Sequence, residues 1–170
     1  MSTVLKQILS GIRVELVEEY DRNFERKAFF DQPWEQRRIA HNRGTLMALT
    51  GRLRRSYMAS DFPGGIKFSS DTPYASIHHT GGSIPVTPKM RKYFWAMYYK
   101  SGGRGKKGTP TAQAQAWRSL ALTRKSTFTI PRRQVIGNHP KVDAIVGRVA
   151  AQEIERWADK NVLQTLKPRK

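Results

Sequence analysis

Gly103 and Gly108 flank a basic loop in the stretch Lys100-Ser101-Gly102-Gly103-Arg104-Gly105-Lys106-Lys107-Gly108-Thr109-Pro110. A nucleotide-cradling loop has glycines at this separation. It also needs a lysine and then a hydroxyl residue directly after the second glycine, between a strand and a helix, so that backbone N–H groups and the ammonium converge on phosphate. Here Thr109 stands where the lysine belongs, Lys106 and Lys107 precede the glycine, and the aromatic run ahead of the loop reads as a helix. The stretch is therefore expected to hold no nucleotide and to act as a mobile, basic contact element.

The other reactive residue types fare no better. His78 and His79 are adjacent, so on a helix they point in different directions and form no i,i+4 ligand pair. His41 and His139 stand alone, and Asp71 reads as a turn residue rather than a ligand. Structural or hydrogen-bonding roles are expected for all four histidines. The carboxylates gather on the first helix, with Asp143, Glu153 and Glu155 on the last, as solvated faces would. No Gly-x-Ser-x-Gly elbow is present. Neither an enzymatic activity nor a cofactor or metal is expected.

Basic residues are the remaining chemistry. Arg52, Arg54 and Arg55 form one run. Lys89, Arg91, Lys92, Lys100, Arg104, Lys106 and Lys107 spread along the middle of the chain, and Arg132 and Arg133 follow the last strand. The candidates for contact with a partner or with DNA are Arg52, Arg54, Arg55, Arg91, Lys92, Arg104, Lys106, Lys107, Arg132 and Arg133. Aromatic residues interleave the middle set, as stacking platforms do. The helical spacing of Phe94 and Trp95 nonetheless favours packing. With no recognition motif in the chain, any nucleic-acid contact would be to phosphate and independent of sequence.

These residues need a scaffold. Val4, Leu5, Ile8, Leu9, Ile12, Leu16, Val17, Tyr20 and Phe24 recur at steps of three and four, which predicts an amphipathic helix to about Lys27. Leu46, Met47 and Leu49 suggest a second, shorter helix ended by Thr50-Gly51, with LRRSYMAS a strand entering a Pro-Gly-Gly hairpin turn. Ile66, Phe68 and Ser70 alternate as the return strand. YASIHHTGG reads as a helical turn stopped at Gly81-Gly82. Thr87-Pro88 and Thr109-Pro110 each read as a cap followed by a proline start, so the glycine loop becomes the tip of a helical hairpin. Ala116, Trp117, Leu120 and Ala121 should face inward. Ser126–Ile130 is a third strand stopped by Pro131. A final helix carries Val142, Ile145, Val146, Val149, Ala150, Ile154 and Trp157, and the tail KNVLQTLKPRK is expected to be loose.

The totals frame this. The chain has 170 residues, room for one domain with a core. It carries 31 basic and 13 acidic residues, a net +18, and so is drawn to polyanions or acidic protein surfaces. With no cysteine, it can form no disulfide or thiolate site. A continuous apolar leader and a membrane span are both lacking, and synthesis in the cytoplasm is expected.

Three runs recur in an order that resembles the phage virion morphogenesis family. They are Leu49 to Ser56 (Leu, Thr-Gly, Leu, Arg-x-Ser), Tyr74 to Gly81 (Tyr-Ala-x-Ile-His-x-x-Gly) and Ile130 to Gly137 (Ile-Pro-x-Arg-x-x-x-Gly). A tryptophan-bearing segment, QPWEQRR, precedes them, and long helices flank the set. The resemblance implies an α+β fold, a small antiparallel sheet packed against long N- and C-terminal helices, in one domain over 1–170. Residues 83–125 depart from shorter relatives as an inserted basic helical hairpin. The family's members complete tails or join head to tail in long-tailed phages. The resemblance thus implies a tail-terminator-like neck protein that assembles as a ring, commonly six-fold, around the DNA channel. Its partners would be tail tube or terminator proteins, head-side connector proteins and DNA in the lumen, with no membrane. It would be located in the virion after assembly in the host cytoplasm. The alternative is a basic, sequence-independent nucleic-acid-binding protein.

Overall fold

The computed structural model describes residues 3–37, 44–103 and 109–165, with side chains through residue 161. Its class is α+β, with long helices at both ends and short antiparallel strand pairs between them. Helix α1 (Thr3–Arg26) buries Ile12, Leu16, Tyr20, Asn23 and Phe24 on one face. It ends where Lys27 turns into the left-handed region. A tight pair of strands, β1 (Ala28–Phe29) and β2 (Gln32–Pro33), reverses the chain and leaves Phe29, Phe30 and Trp34 buried.

The final helix, α6 (Pro140–Thr165), runs antiparallel along α1: its start lies beside Phe30, and further along Val149 meets Gly11. A Cβ at Gly11 would sit 2.9 Å from Val149 Cγ1, so the glycine permits the close approach of the two helices. Ile12, Leu16, Tyr20, Phe29, Phe30 and Val149 form the core they share. His139 caps this junction. Its ring stacks on Phe30 at 4.4 Å, Nδ1 accepts the Lys141 N–H, and Nε2 lies 3.0 Å from Asp31 Oδ1. Hydrogen bonding to His139 holds the Asp31 carboxyl below its ordinary range. The helix continues to Thr165, so KNVLQT, expected to be loose, is helical. The apolar residues that mark this helix split: Val142, Ile145 and Val149 pack on the core, whereas Val146, Ile154 and Trp157 are exposed.

Between the long helices, the turns and strands depart from expectation in three places. The residues around Leu46 and Met47 make a turn closed by a Thr45–Ala48 bridge, because Gly44 and Met47 both adopt left-handed conformations that a helix cannot contain. Gly51, at φ 72°, begins a helix instead of ending one. Arg52–Ser56 is α2, and the strand β3 starts only at Tyr57. Strand β3 (Tyr57–Phe62) pairs with β4 (Gly65–Ser70) as the anticipated hairpin. The strand at Thr127–Ile130, β6, does not join it. It pairs with β5 (Gly82–Pro85), which follows the short helix α3 (Ala75–Thr80), giving separate two-stranded sheets.

Helices α4 (Pro88–Lys100) and α5 (Ala112–Ala121) form a hairpin with a core of its own, Phe94, Trp117 and Ala121, onto which Met90, Met97, Leu120 and Phe128 pack. Thr87 caps α4 as expected, its Oγ1 accepting the Met90 N–H at 3.2 Å. The second cap is Thr111, not Thr109. Its hydroxyl accepts the Ala114 N–H at 3.0 Å and donates to Ser101 O at 2.8 Å, so one side chain starts α5 and ties it to the end of α4.

Candidate functional site

The three runs singled out by resemblance fold onto one seam. Leu53 of the first, Ala75 of the second and Val135 of the third are buried in a single cluster with Phe24, Trp34 and Leu46. The third run, residues 130–137, continues beyond β6 without regular structure, so its polar backbone groups must find partners elsewhere. Arg133 N–H donates to His78 O at 2.7 Å, and Val135 N–H to His79 Nδ1 at 3.4 Å. Asn23 Nδ2 donates to Val135 O, Trp34 Nε1 to Gln134 O and Tyr20 Oη to Gly137 O, at 3.0, 2.8 and 2.9 Å. Asn23 is fully buried and also accepts the Phe30 N–H, at 3.0 Å, so one amide bridges the helix, the turn after it and the third run. Gly81 at φ 73° lies so close to Arg132 that a Cβ would meet its nitrogen at 2.8 Å. Only glycine lets the second run approach the third. Tyr74, the first residue of the second run, is 39% exposed; Ala75 takes the buried place.

A cleft of about 560 Å³ opens beside this seam, between α2 and α3 on one side and the α4–α5 hairpin on the other. Leu49, Leu53, Tyr74, His78, Trp117 and Leu120 make its mostly apolar wall, with Glu35 and Arg133 among its polar groups. Burial pushes the His78 and His79 imidazoles below their ordinary pKa, and the nearby guanidinium of Arg133 or Arg132 adds to the effect. Among the described residues, no group of three or more histidines or carboxylates could hold a metal.

The nominated cations divide sharply. Arg54 is committed to α1: its Nε donates to Asp21 at 2.6 Å and its Nη2 to Glu25 at 2.7 Å, and these bonds raise its pKa further. Arg91 donates to the carbonyls of Ala121 and Thr123, at 3.2 and 2.6 Å, and so closes the end of α5. Arg133 is 8% exposed and donates to Glu35 O. Arg55 reaches back to Thr50 O at 3.3 Å, and Arg132 contacts Gln134. Arg54, Arg91 and Arg133 hold the fold. Arg52, Arg55, Lys92 and Arg132 are exposed, while Arg104, Lys106 and Lys107 lie outside the described residues, as does His41.

Charge is partitioned along the chain. From Thr72 to Val142 there is no acidic residue, yet thirteen cations: Lys89, Arg91, Lys92, Lys100, Arg104, Lys106, Lys107, Arg118, Arg124, Lys125, Arg132, Arg133 and Lys141. The acids lie elsewhere, and several of them pair with arginines. Glu15 pairs with Arg148, Glu19 with Arg22 and Arg26, Asp61 with Arg13 and Glu153 with Arg156. Two residues that the sequence pattern did not single out stand on the exposed side of α4 among the lysines: Tyr93 and Tyr99, 52% and 47% exposed. Their helical spacing relative to Lys89, Lys92 and Lys100 is the signal that could have found them.

No protein-family model, curated protein or solved structure matches this chain.

Proposed function

We propose that the chain is a structural virion protein of a tailed phage that completes the tail or neck and helps join it to the DNA-filled head. It acts as a non-enzymatic subunit of a ring around the DNA channel. The observation that carries this reading is the seam. Three runs spread over residues 49–137 meet through the shared packing of Leu53, Ala75 and Val135 and the Arg133–His78 backbone bond. Their meeting supports treating them as parts of one inherited unit rather than as separate coincidences.

A ring subunit needs two different complementary surfaces, because head-to-tail contacts close a cycle only when each copy offers one face to the next and receives another. The exposed Ile154 and Trp157 on α6 and the apolar cleft beside the seam are two such unlike surfaces. The α1 face, with its arginines already paired, is less suited to a polyanion than the cationic middle of the chain.

The experiment is reconstitution. Heads and tails collected from infections lacking this gene are mixed with the purified chain, and joined particles are counted by electron microscopy. The expected result is recovery of joined particles in proportion to added protein; no recovery contradicts the reading. The second reading, a sequence-independent nucleic-acid-binding protein, is favoured by the acid-free span from 72 to 142.

A further inference from the structure

We propose that the outer face of α4 is a binding surface for the phosphodiester backbone of nucleic acid. Lys89, Lys92 and Lys100 provide the charge, and Tyr93 and Tyr99 the apolar contact. The inference goes beyond head–tail joining and does not depend on it.

Helix geometry brings these residues together. At about 100° per residue, positions 89, 92, 93, 96, 99 and 100 fall within roughly a third of the helix circumference. All six are exposed, while Phe94 on the opposite side is buried in the hairpin core. The row from Lys89 to Lys100 spans about 16 Å along the axis at ~1.5 Å per residue. Ala96 sits in the middle of the face, where its small side chain allows a strand to lie close. The ring of Tyr99 stacks on Trp95, at 6.1 Å and 25°, which fixes it as a platform.

Electrostatics points to an anion. The first turn of α4 contains no acid and does contain Lys89, so a cation lies beside the positive end of the helix dipole. That placement disfavours the helix unless an anion approaches. No carboxylate lies within the surrounding chain from 72 to 142 to quench the field.

The residue types favour nucleic acid over an acidic protein. Lysine ammonium groups are point charges that meet phosphate without reading base edges. Exposed tyrosine rings among them offer faces on which bases stack. An acidic peptide would use the charge and leave the rings unused.

The test measures binding of the purified full chain to a labelled 30-nucleotide strand and to its duplex by fluorescence anisotropy, from 50 to 200 mM salt. The comparison is between wild type, a triple variant Lys89→Gln/Lys92→Gln/Lys100→Gln, and a charge-matched control, Lys6→Gln/Lys67→Gln/Lys160→Gln, at exposed positions outside the acid-free span. On duplex, the α4 variant is expected to flatten the log K against log salt slope by about 2.7, three phosphate contacts at ~0.9 each. It should also bind at least about tenfold more weakly at low salt, with the control near wild type. Equal losses in the two triples, or an unchanged slope in the α4 variant, overturns the proposal. So does competition by poly-glutamate as effective as that by unlabelled DNA, which assigns the face to an acidic protein instead. Tyr93→Ala/Tyr99→Ala identifies the strand form. A loss of roughly fivefold or more on single strands alone means stacked bases and supports the surface, whereas no loss on either strand form overturns the contact assigned to the two rings. Because the assay contains only protein and DNA, its failure leaves the joining reading standing.

Discussion

Asn23 shows most plainly what single residues do here. Its buried amide satisfies a donor from the turn and an acceptor from the third run at once. Asn23→Leu keeps the volume but leaves the Phe30 N–H and the Val135 carbonyl without this partner, at a cost of about 2–4 kcal/mol. Urea unfolding should show a lower midpoint with an unchanged slope. His78 and His79 supply a pH dependence. Both are depressed in the folded state, so below the ordinary histidine pKa of 6.5 the unfolded chain takes up protons that the folded chain does not. Their contribution is neutral well above 6.5, and stability falls as pH drops from there toward the lowered folded values. Midpoints measured between pH 7.5 and 5 should decline, and His78→Gln should make that decline shallower. At this scale the sequence was partly legible. Residues 130–137 could be recognised as a run, but nothing in their spacing reveals that side chains of α1 satisfy their backbone. The basic runs were visible too. Whether an arginine such as Arg54 or Arg91 faces solvent or closes a helix depends on partners 29 to 33 residues away.

Helices were read best where local chemistry decides them. Thr87-Pro88 combines a hydroxyl acceptor with a preset backbone angle, and the period of α1 is long enough to leave no alternative. Reading failed where one backbone angle overrides an apolar pattern. Leu46, Met47 and Leu49 have helical spacing, yet Gly44 and Met47 turn left-handed and the segment closes on itself. Pairing was less legible still. Strand β6 joins β5 across the whole α4–α5 hairpin, and Phe128 of β6 packs on the hairpin core. That core gives a prediction about local stability. Trp117→Ala removes the ring on which Phe94 stacks and should cost about 3–5 kcal/mol in the hairpin. Hydrogen exchange should quicken in α4 and α5 while protection in α1 and α6, which share a different core, stays nearly unchanged. Equal loss in all four helices would mean that the cores unfold as one.

The molecule as a whole separates charge from scaffold. Several carboxylates of the acid-bearing helices α1 and α6 pair with arginines, and the span between Thr72 and Val142 carries only cations. Net charge could be counted from the sequence. The facing of the charge, with Lys92 outward and Arg91 inward on the same helix, needed the fold. Among the described residues no helix is long and apolar enough to cross a membrane. The unlike apolar surfaces, Ile154 with Trp157 and the cleft, give a prediction about assembly. Trp157→Glu, at a position 48% exposed, should shift unfolding by no more than about 0.5 kcal/mol yet weaken joining in the reconstitution assay about tenfold or more. The most direct measurement of all is electron microscopy of particles made when this gene is disrupted in the phage that the proposal says carries it. The joining account predicts DNA-filled heads beside separate tails, or tails of irregular length, and complete joined virions would contradict it.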